Sequence, residues 1–345
     1  MKATNYIYAS AKIRALEPLI LDETDIERMV DAPDIKSAFK VLNDTDYGDN
    51  LLDVQPAEYR DALRADFQEL HDFLQRVTPE GRLFELILLD RDFVNLRLFF
   101  KAKYFNIDIE KFVKENVIYA PNHLKDFVFE NHIHSPETMQ AYLTEQKGQT
   151  LDQEIKDVIY QIDKKINDKT RPDQIDSWLT QKYFDLKQEL AKEIGSGFIK
   201  KYIKMEIDCA NILMWLRLKR LGKDQEEAKQ KLIRRGNADY KRLITMYNEE
   251  PRAIKFFINA NFDQKVVEAF DKFCDDNNLF ELEREMEDYK VRYSRLAKRY
   301  SYGPEVIFAY YLAKQNAITN IRIILTGKLN NLPTESIKQT LREVY

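Results

Sequence analysis

The chain has 345 residues, of which 44% are apolar and 12% aromatic, and its formal net charge is −4. This apolar content suffices for a large buried core, while the mixture of acidic and basic residues provides no broad basic surface for nucleic acid. Glycine occurs only nine times, and neither GxGxxG nor GxxxxGK[ST] is present, which argues against a doubly wound nucleotide-binding sheet.

The cysteines, Cys209 and Cys274, are too few for a disulfide framework and indicate a reducing compartment. No apolar run reaches the length that spans a bilayer. The N-terminal stretch contains too many polar residues for a signal peptide. We therefore expect a cytoplasmic protein that has no lipid anchor of its own.

In chain order, the first strongly periodic segment is EYRDALRADFQELHDFLQRV, from Glu58, followed by Pro79 and then by DRDFVNLRLFFKAK. The apolar spacing predicts two long helices, and the proline marks the start of the second. The arrangement recurs as DSWLTQKYFDLKQELAKEI, Gly195 and EIDCANILMWLRLK, and again as LEREMEDYKVRYSRLAKRY, Pro304 and QNAITNIRIILTGK. The sequence thus predicts three long antiparallel helix pairs.

The three second helices align on one asparagine each: Asn95, Asn211 and Asn320. Each asparagine is followed eight residues later by a lysine. An aspartate precedes the first two asparagines by three residues, whereas Ala317 takes that place in the third repeat. The candidate functional residues on these helices are Asp92, Asn95, Arg97, Lys103, Asp208, Asn211, Arg217, Lys219, Asn320, Arg322 and Lys328.

A second landmark precedes each long pair. Pro33, Pro121 and Pro251 each interrupt a short apolar run, and each is followed six residues later by a phenylalanine: Phe39, Phe127 and Phe257. The repeat length is too great for a tetratricopeptide or ankyrin solenoid. We predict three similar all-α domains, at residues 1–105, 106–222 and 223–345, with an insertion near 152–173 in the second.

Two hypotheses account for the repeated asparagines. In one, each amide is a buried hydrogen-bonding group that fixes the packing of its own helix pair. In the other, the three helix pairs surround an axis and direct the same polar groups into a shared cavity, where they meet a partner. The two hypotheses are compatible with each other.

Enzyme sites have weaker support. His123, His132 and His134 lie close in sequence, but their spacing does not match a zinc site on a helix. The acidic cluster around Asp271, Asp275 and Asp276 suggests Mg²⁺ chemistry only if a second carboxylate group faces it. The alternative without a function in catalysis is a solvated connection between helices. No Ser/His/Asp or Cys/His set is recognisable, and we expect no cofactor.

The segments YIYASAKIRALEPLIL and MVDAPDIKSAFKVLNDTDYG, the recurring D/E-x-x-N with a basic helix after it, and the YGPE before the third long helix resemble the C subunit of bacterial and archaeal V-type (A-type) ATPases. Its eukaryotic counterpart is the d subunit. The resemblance covers nearly the whole chain. It departs at Ala317 and at Leu213, which stands where the other repeats have Arg97 and Arg322.

The resemblance implies a non-catalytic central-rotor subunit. Three helical domains with pseudo-threefold arrangement would form a funnel on the cytoplasmic face of the membrane proteolipid (c/K) ring. The funnel would receive the central-stalk subunits D and F, and it would transmit torque for ion transport. The alternatives are a soluble helical adaptor for unrelated cytoplasmic partners and, more remotely, a Mg²⁺-dependent all-α enzyme. Whether the ion is H⁺ or Na⁺ depends on the ring.

Overall fold

The computed structural model of the chain describes residues 3–42, 45, 47, 58–79, 81–108, 124–125, 128–129 and 150–345. The regular secondary structure of these residues consists of helices, with no β-strand, which confirms the all-α prediction. The α-helices are α1 Ile7–Leu16, α2 Glu23–Asp31, α3 Ile35–Val41, α4 Tyr59–Val77, α5 Gly81–Phe105, α6 Thr150–Asp163, α7 Pro172–Ile194, α8 Gly197–Arg220, α9 Gln225–Lys231, α10 Tyr240–Thr245, α11 Lys255–Asn261, α12 Gln264–Asp276, α13 Leu279–Arg295, α14 Pro304–Leu329 and α15 Thr334–Thr340.

The six predicted long helices are present as α4, α5, α7, α8, α13 and α14. Helices α5, α8 and α14, which carry the repeated asparagines, have 25, 24 and 26 residues. At a rise of 1.5 Å per residue, each is roughly 35 to 40 Å long. In the third repeat α13 packs against α14. The pairing of the other long helices and the pseudo-threefold funnel stay predictions.

The predicted helix starts are confirmed at all three breakers. Helix α5 begins two residues after Pro79, and Gly195, with a φ of 80°, precedes the start of α8. Gly303 has a φ of 138° and is followed by Pro304 as the first residue of α14. Positive φ values suit glycine because it lacks a Cβ atom, and proline suits a first helical position because its missing N–H has no partner there.

The proline landmarks are also helix boundaries. Pro33 lies between α2 and α3, and Pro251 begins a 3-10 helix that leads into α11. Phe39 and Phe257, six residues further on, are both buried. Pro121 and Phe127, the corresponding pair in the second repeat, lie outside the described residues, as do His123, His132 and His134.

The chain divides into two compact units. The first contains Met1–Gly81, Gly195–Cys209 and Glu249–Tyr345. Its centre is α14, which packs against α1, α2, α3, α4, α13 and α15. Buried side chains occur on every side of α14, from Val306 and Ile307 to Ile324 and Leu325. A helix that packs against so many partners is apolar over most of its circumference, which explains the apolar composition of this segment.

The second unit contains Arg82–Ile194 and Ala210–Asn248. In it α6 and α9 both pack against α7. Phe93 of α5 meets Tyr183 of α7 edge to face, with ring centroids 5.4 Å apart. Trp215 of α8 is fully buried, and its indole N–H donates to the Leu243 carbonyl. These aromatic side chains contribute to the core of the unit.

The predicted insertion near 152–173 coincides largely with α6 and the connection to α7. Ile155, Val158, Ile159 and Ile162 of α6 are buried, so the stretch contributes to the core of the second unit. The boundaries of the three sequence repeats differ from those of the two compact units, which fall at Gly81, Ile194, Cys209 and Asn248. The three-domain division stays a prediction.

None of the helices within the described residues combines the length and the apolar content needed to cross a membrane. Cys209 is buried, as its place on an apolar helix face predicts, and Cys274 is partly buried. Burial raises the pKa of the Cys209 thiol to about 12, because the thiolate form loses its hydration.

Candidate functional site

The three repeats share a backbone feature after each long helix. Asn106, Gly222 and Asn331 have φ values of 50°, 63° and 53°, and each stands eleven residues after the repeat asparagine. A left-handed residue reverses the chain at a helix C-terminus and lets its last carbonyls accept hydrogen bonds. Leu332, for example, donates to the Gly327 carbonyl at 2.9 Å. The alignment made from side chains therefore holds for the backbone as well.

Two of the repeat asparagines bind the backbone of a later segment. The Asn211 amide group donates to the Ile233 carbonyl at 2.7 Å and accepts from the Ile233 N–H at 2.7 Å. Asn320 makes the same pair of bonds with Arg342, both at 3.0 Å. For both asparagines the bound residue lies 22 positions further along the chain. Asn95 is buried too, and the residue 22 positions after it lies outside the described residues.

The segments bound by these asparagines form a part of the repeat that our sequence alignment missed. Helices α9 and α15 have seven residues each, and each is followed by a leucine in extended conformation, Leu232 or Leu341. A short sequence signal was available, because Lys-Gln-x-Leu occurs at 229–232 and again at 338–341. A motif of four residues with one variable position is too short to be recognised as a repeat by itself. It becomes recognisable only when the two sequences are aligned on the preceding long helices.

The repeat lysines hold backbone carbonyls. Lys103 donates to the Val128 carbonyl at 2.8 Å and also pairs with Asp163 at 2.7 Å. Lys219 donates to the Tyr247 carbonyl at 2.7 Å. Lys328 donates to the carbonyls of Val30 and Ala32. A cation near a helix C-terminus is also favoured by the helix dipole. Each lysine thus joins the end of a long helix to a segment distant in sequence.

The remaining candidate residues divide between the interior and the surface. Asp92 and Asp208 are buried, and so is Ala317 at the third position. Arg97 donates to the Thr180 hydroxyl of α7 at 3.2 Å. Arg217 and Arg322 are exposed. The contacts of Asn211, Asn320 and the three repeat lysines give these residues a structural role, and a role of any of the eleven residues in partner binding stays a prediction.

Exposed aliphatic side chains follow the long helices at similar positions. Ile107 is 46% exposed, Leu221 is 69% exposed and Leu332 is 51% exposed, at ten to twelve residues after the repeat asparagine. They stand in or beside the turn that contains the left-handed residue. Each repeat thus exposes an apolar side chain on a turn that hydrogen bonds hold in place.

The acidic side chains of the third repeat take part in ion pairs and in a turn hydrogen bond. Asp271 pairs with Lys255 at 2.7 Å, and Asp275 pairs with Arg252. Asp276 accepts from the Asn278 N–H at the turn that joins α12 to α13. Among the described residues there is no group of three or more His, Cys, Asp or Glu side chains arranged to hold a metal ion. The cluster has the contacts of a connection between helices.

Comparison with known proteins identifies the family. A model of the ATP synthase (C/AC39) subunit family matches residues 9–340. The chain belongs to this family. The resemblance found in the sequence is therefore confirmed over nearly the whole chain, and the described helices of this C/AC39 family member extend over most of the matched residues.

Several relatives of this family member are similar along nearly their full length. The C subunit of the A-type ATP synthase of Pyrococcus furiosus is 25% identical over 353 residues, covering 99% of this chain and 92% of the relative. The corresponding protein of Desulfurococcus sp. is 24% identical over 352 residues, with the same coverage. The C subunit of the V-type sodium ATPase of Enterococcus hirae is 20% identical over 334 residues, covering 96% of this chain and 97% of the relative.

Proposed function

We propose that the protein is a non-catalytic rotor subunit of a rotary V-type or A-type ATPase. In this role it links the central-stalk subunits D and F to the membrane proteolipid ring and transmits torque for ion transport. It lies on the cytoplasmic face of the membrane, where it is held by the other subunits of the complex. Family membership and the names of the relatives support this proposal.

The observation that carries the proposal is the threefold recurrence of one helix end. Ile107, Leu221 and Leu332 present aliphatic side chains to solvent after the three long helices. An exposed apolar side chain gains free energy when a partner covers it, at roughly 25 cal/mol per Å² of buried apolar surface. A helix end with an exposed aliphatic side chain that occurs three times in one chain suits a partner that is itself built from repeated subunits, as a proteolipid ring is.

Torque transmission requires that these ends keep their positions under load. The lysine in the last turns of each long helix serves this need, because Lys103, Lys219 and Lys328 fasten the helix ends to backbone carbonyls. Charge-assisted hydrogen bonds are stronger than neutral ones. The long helices themselves are stiff because all their interior N–H and C=O groups are bonded within the helix.

The proposal is tested by native mass spectrometry of the purified chain with the D and F subunits, and then with the detergent-solubilised proteolipid ring. We expect a 1:1:1 complex that also captures the ring. Replacing Leu221 or Leu332 by glutamate places a charge at one of these helix ends and is expected to abolish ring capture while leaving the protein folded by circular dichroism.

Leu19→Glu is the matched control, because Leu19 is 45% exposed and lies outside the three helix ends. It is expected to leave ring capture intact. If the folded wild-type chain binds neither the stalk nor the ring, the rotor proposal is wrong. If it captures the ring and all three variants do so equally, the helix ends are not the contact.

A further inference from the structure

Three arginines come together on one face of the first unit. Arg60 and Arg64 are one turn apart on α4, and Arg322 lies on α14, which packs against α4. All three side chains are exposed. Arg60 and Arg64 act electrostatically on Arg322, so the three guanidinium groups lie within range of one another. We call Arg60, Arg64 and Arg322 the arginine cluster.

Two hydroxyl groups border the arginine cluster. The Tyr59 and Thr326 hydroxyl groups are hydrogen-bonded to each other at 2.8 Å, and the Arg60 Nε–H donates to the Tyr59 oxygen at 3.3 Å. Thr326 lies one turn after Arg322 on α14. The hydroxyl pair therefore ties the first turn of α4 to α14 beside the guanidinium groups and fixes their spacing.

The positive charge of the cluster is poorly balanced. Within the described part of the chain neither Arg60 nor Arg322 forms an ion pair, and Arg64 meets only Asp61, at 3.5 Å, with both side chains mostly exposed. Partial loss of hydration, together with the neighbouring Arg60 and Arg64 charges, lowers the pKa of Arg322 from its ordinary value. Like charges held close together repel, so a folded protein gains stability when an anion binds between them.

We propose that the arginine cluster binds an acidic helix of a partner protein through carboxylates spaced one helical turn apart. The proposal rests on the proposed function, since it assigns the partner to the same complex. Arg60 and Arg64 are four residues apart and thus separated by about 6 Å along α4. Glutamates at positions i and i+4 of a facing helix repeat at the same interval, and each guanidinium group binds a carboxylate with two N–H donors.

The arrangement of the cluster favours a helix over a single small anion. A phosphate ion occupies one point, whereas these arginines extend over a full helical turn on α4 and face a third on a second helix. A lipid surface is less suitable, because membrane-binding faces combine basic residues with large apolar side chains, and Tyr59, the aromatic residue at this place, is buried.

The test uses a fluorescent alanine-based helical peptide that carries glutamates at i and i+4, titrated into the full-length protein and followed by anisotropy. A peptide of the same composition with glutamates at i and i+2 places them on different faces and serves as the spacing control. We expect the first peptide to bind at low salt at least about tenfold more tightly than the second, and binding to weaken as salt is added.

Arg60→Glu and Arg322→Glu are each expected to weaken peptide binding by about tenfold or more, which corresponds to about 1.4 kcal/mol. Arg76→Glu is the matched control, because Arg76 is exposed in the last turn of the same helix α4 and is outside the cluster. It is expected to bind the peptide as the wild type does. Circular dichroism and thermal melting establish that each variant is folded.

Three results would overturn the proposal: equal binding of the two peptides, equal loss of binding in Arg76→Glu, or competition by inorganic phosphate that acetate at equal ionic strength does not match. Binding of the wild type and the two cluster variants to the D and F subunits is measured in parallel. If all three assemble equally, the cluster does not bind the stalk and the rotor proposal still stands. If the wild type assembles with neither stalk nor ring, the rotor proposal itself fails.

Discussion

Asn320 of α14 and Arg342 exchange two hydrogen bonds of 3.0 Å each, through the asparagine amide and the backbone of residue 342. Asn211 does the same with Ile233. The two bound residues, an arginine and an isoleucine, differ in side chain. They can differ because each asparagine binds only the backbone N–H and C=O groups. An asparagine amide has one donor side and one acceptor side, so it satisfies both groups of an extended residue at once.

We predict that Asn320→Ala lowers the free energy of unfolding by about 1 to 3 kcal/mol, because the Arg342 N–H and C=O groups lose their partner in a part-buried site. Urea denaturation followed by circular dichroism measures the change. Asn330→Ala is the control: Asn330 is exposed and makes one local hydrogen bond to the Thr326 carbonyl, so the expected loss is smaller. Equal losses would contradict the structural role of Asn320.

Lys328→Met is expected to loosen the connection between α14 and the end of α2. The methionine keeps much of the side-chain volume but donates nothing to the carbonyls of Val30 and Ala32. We expect faster amide hydrogen exchange across residues 28–38 and a loss of about 1 to 3 kcal/mol in the free energy of unfolding.

Lys338→Met provides the comparison for this experiment. Lys338 forms an exposed ion pair with Asp31 at 3.1 Å, close to the same segment. Exposed pairs contribute about 0 to 1 kcal/mol. Exchange near Asp31 that rises as much in Lys338→Met as in Lys328→Met would show that the part-buried bonds from Lys328 to the carbonyls are not decisive.

Stability should depend on pH through Glu343. Burial alone would raise the pKa of this carboxyl, but hydrogen bonds from Lys265 and Arg292 outweigh it and hold the pKa below its ordinary value. The stabilising contribution is therefore present above the unfolded pKa of about 4.3 and is lost as the pH falls through the lower folded value. Glu343→Gln is expected to remove this part of the acid dependence.

The measurement for Glu343 is a series of urea midpoints between neutral and acidic pH. The difference in stability between the wild type and Glu343→Gln should be constant near neutrality and shrink on acidification below about pH 4 to 5. Glu335→Gln, at an exposed position in the first turn of α15, is the control for replacing a glutamate by glutamine elsewhere in the chain. A difference that is independent of pH would refute the assignment to Glu343.

The two cysteines are expected to differ in reactivity. Cys209 is buried and its pKa is raised to about 12, so the native thiol should resist iodoacetamide at mildly alkaline pH. Cys274 is only partly buried, and although burial raises its pKa too, it should be alkylated first. Peptide mass spectrometry with and without denaturant gives the rates. Alkylation of both thiols at one rate in the native protein would contradict the buried position of Cys209.

Much of the helical framework was predictable from local patterns. The apolar spacing around Asn95, Asn211 and Asn320, with a breaker upstream of each, was enough to place α5, α8 and α14 and the helices before them. These features are encoded within a turn or two of helix, since side chains three and four residues apart share a face. The capped start of α2 at Asp22, with Asp25 completing the capping box, is equally local.

The contacts made by the repeat residues depended on the tertiary structure. Nothing in the sequence around Lys328 indicates that it reaches the carbonyl of Val30, which is 298 positions away. The partner of Asn320 lies nearer in sequence. It still could not be recognised, because any residue type offers the same backbone N–H and C=O groups, as Arg342 and Ile233 both do. The sequence by itself determined which side chains recur and on which helix face they lie. The packing of segments distant in the chain decided what each one binds, because hydrogen bonds to backbone groups form only where folding brings those groups within reach.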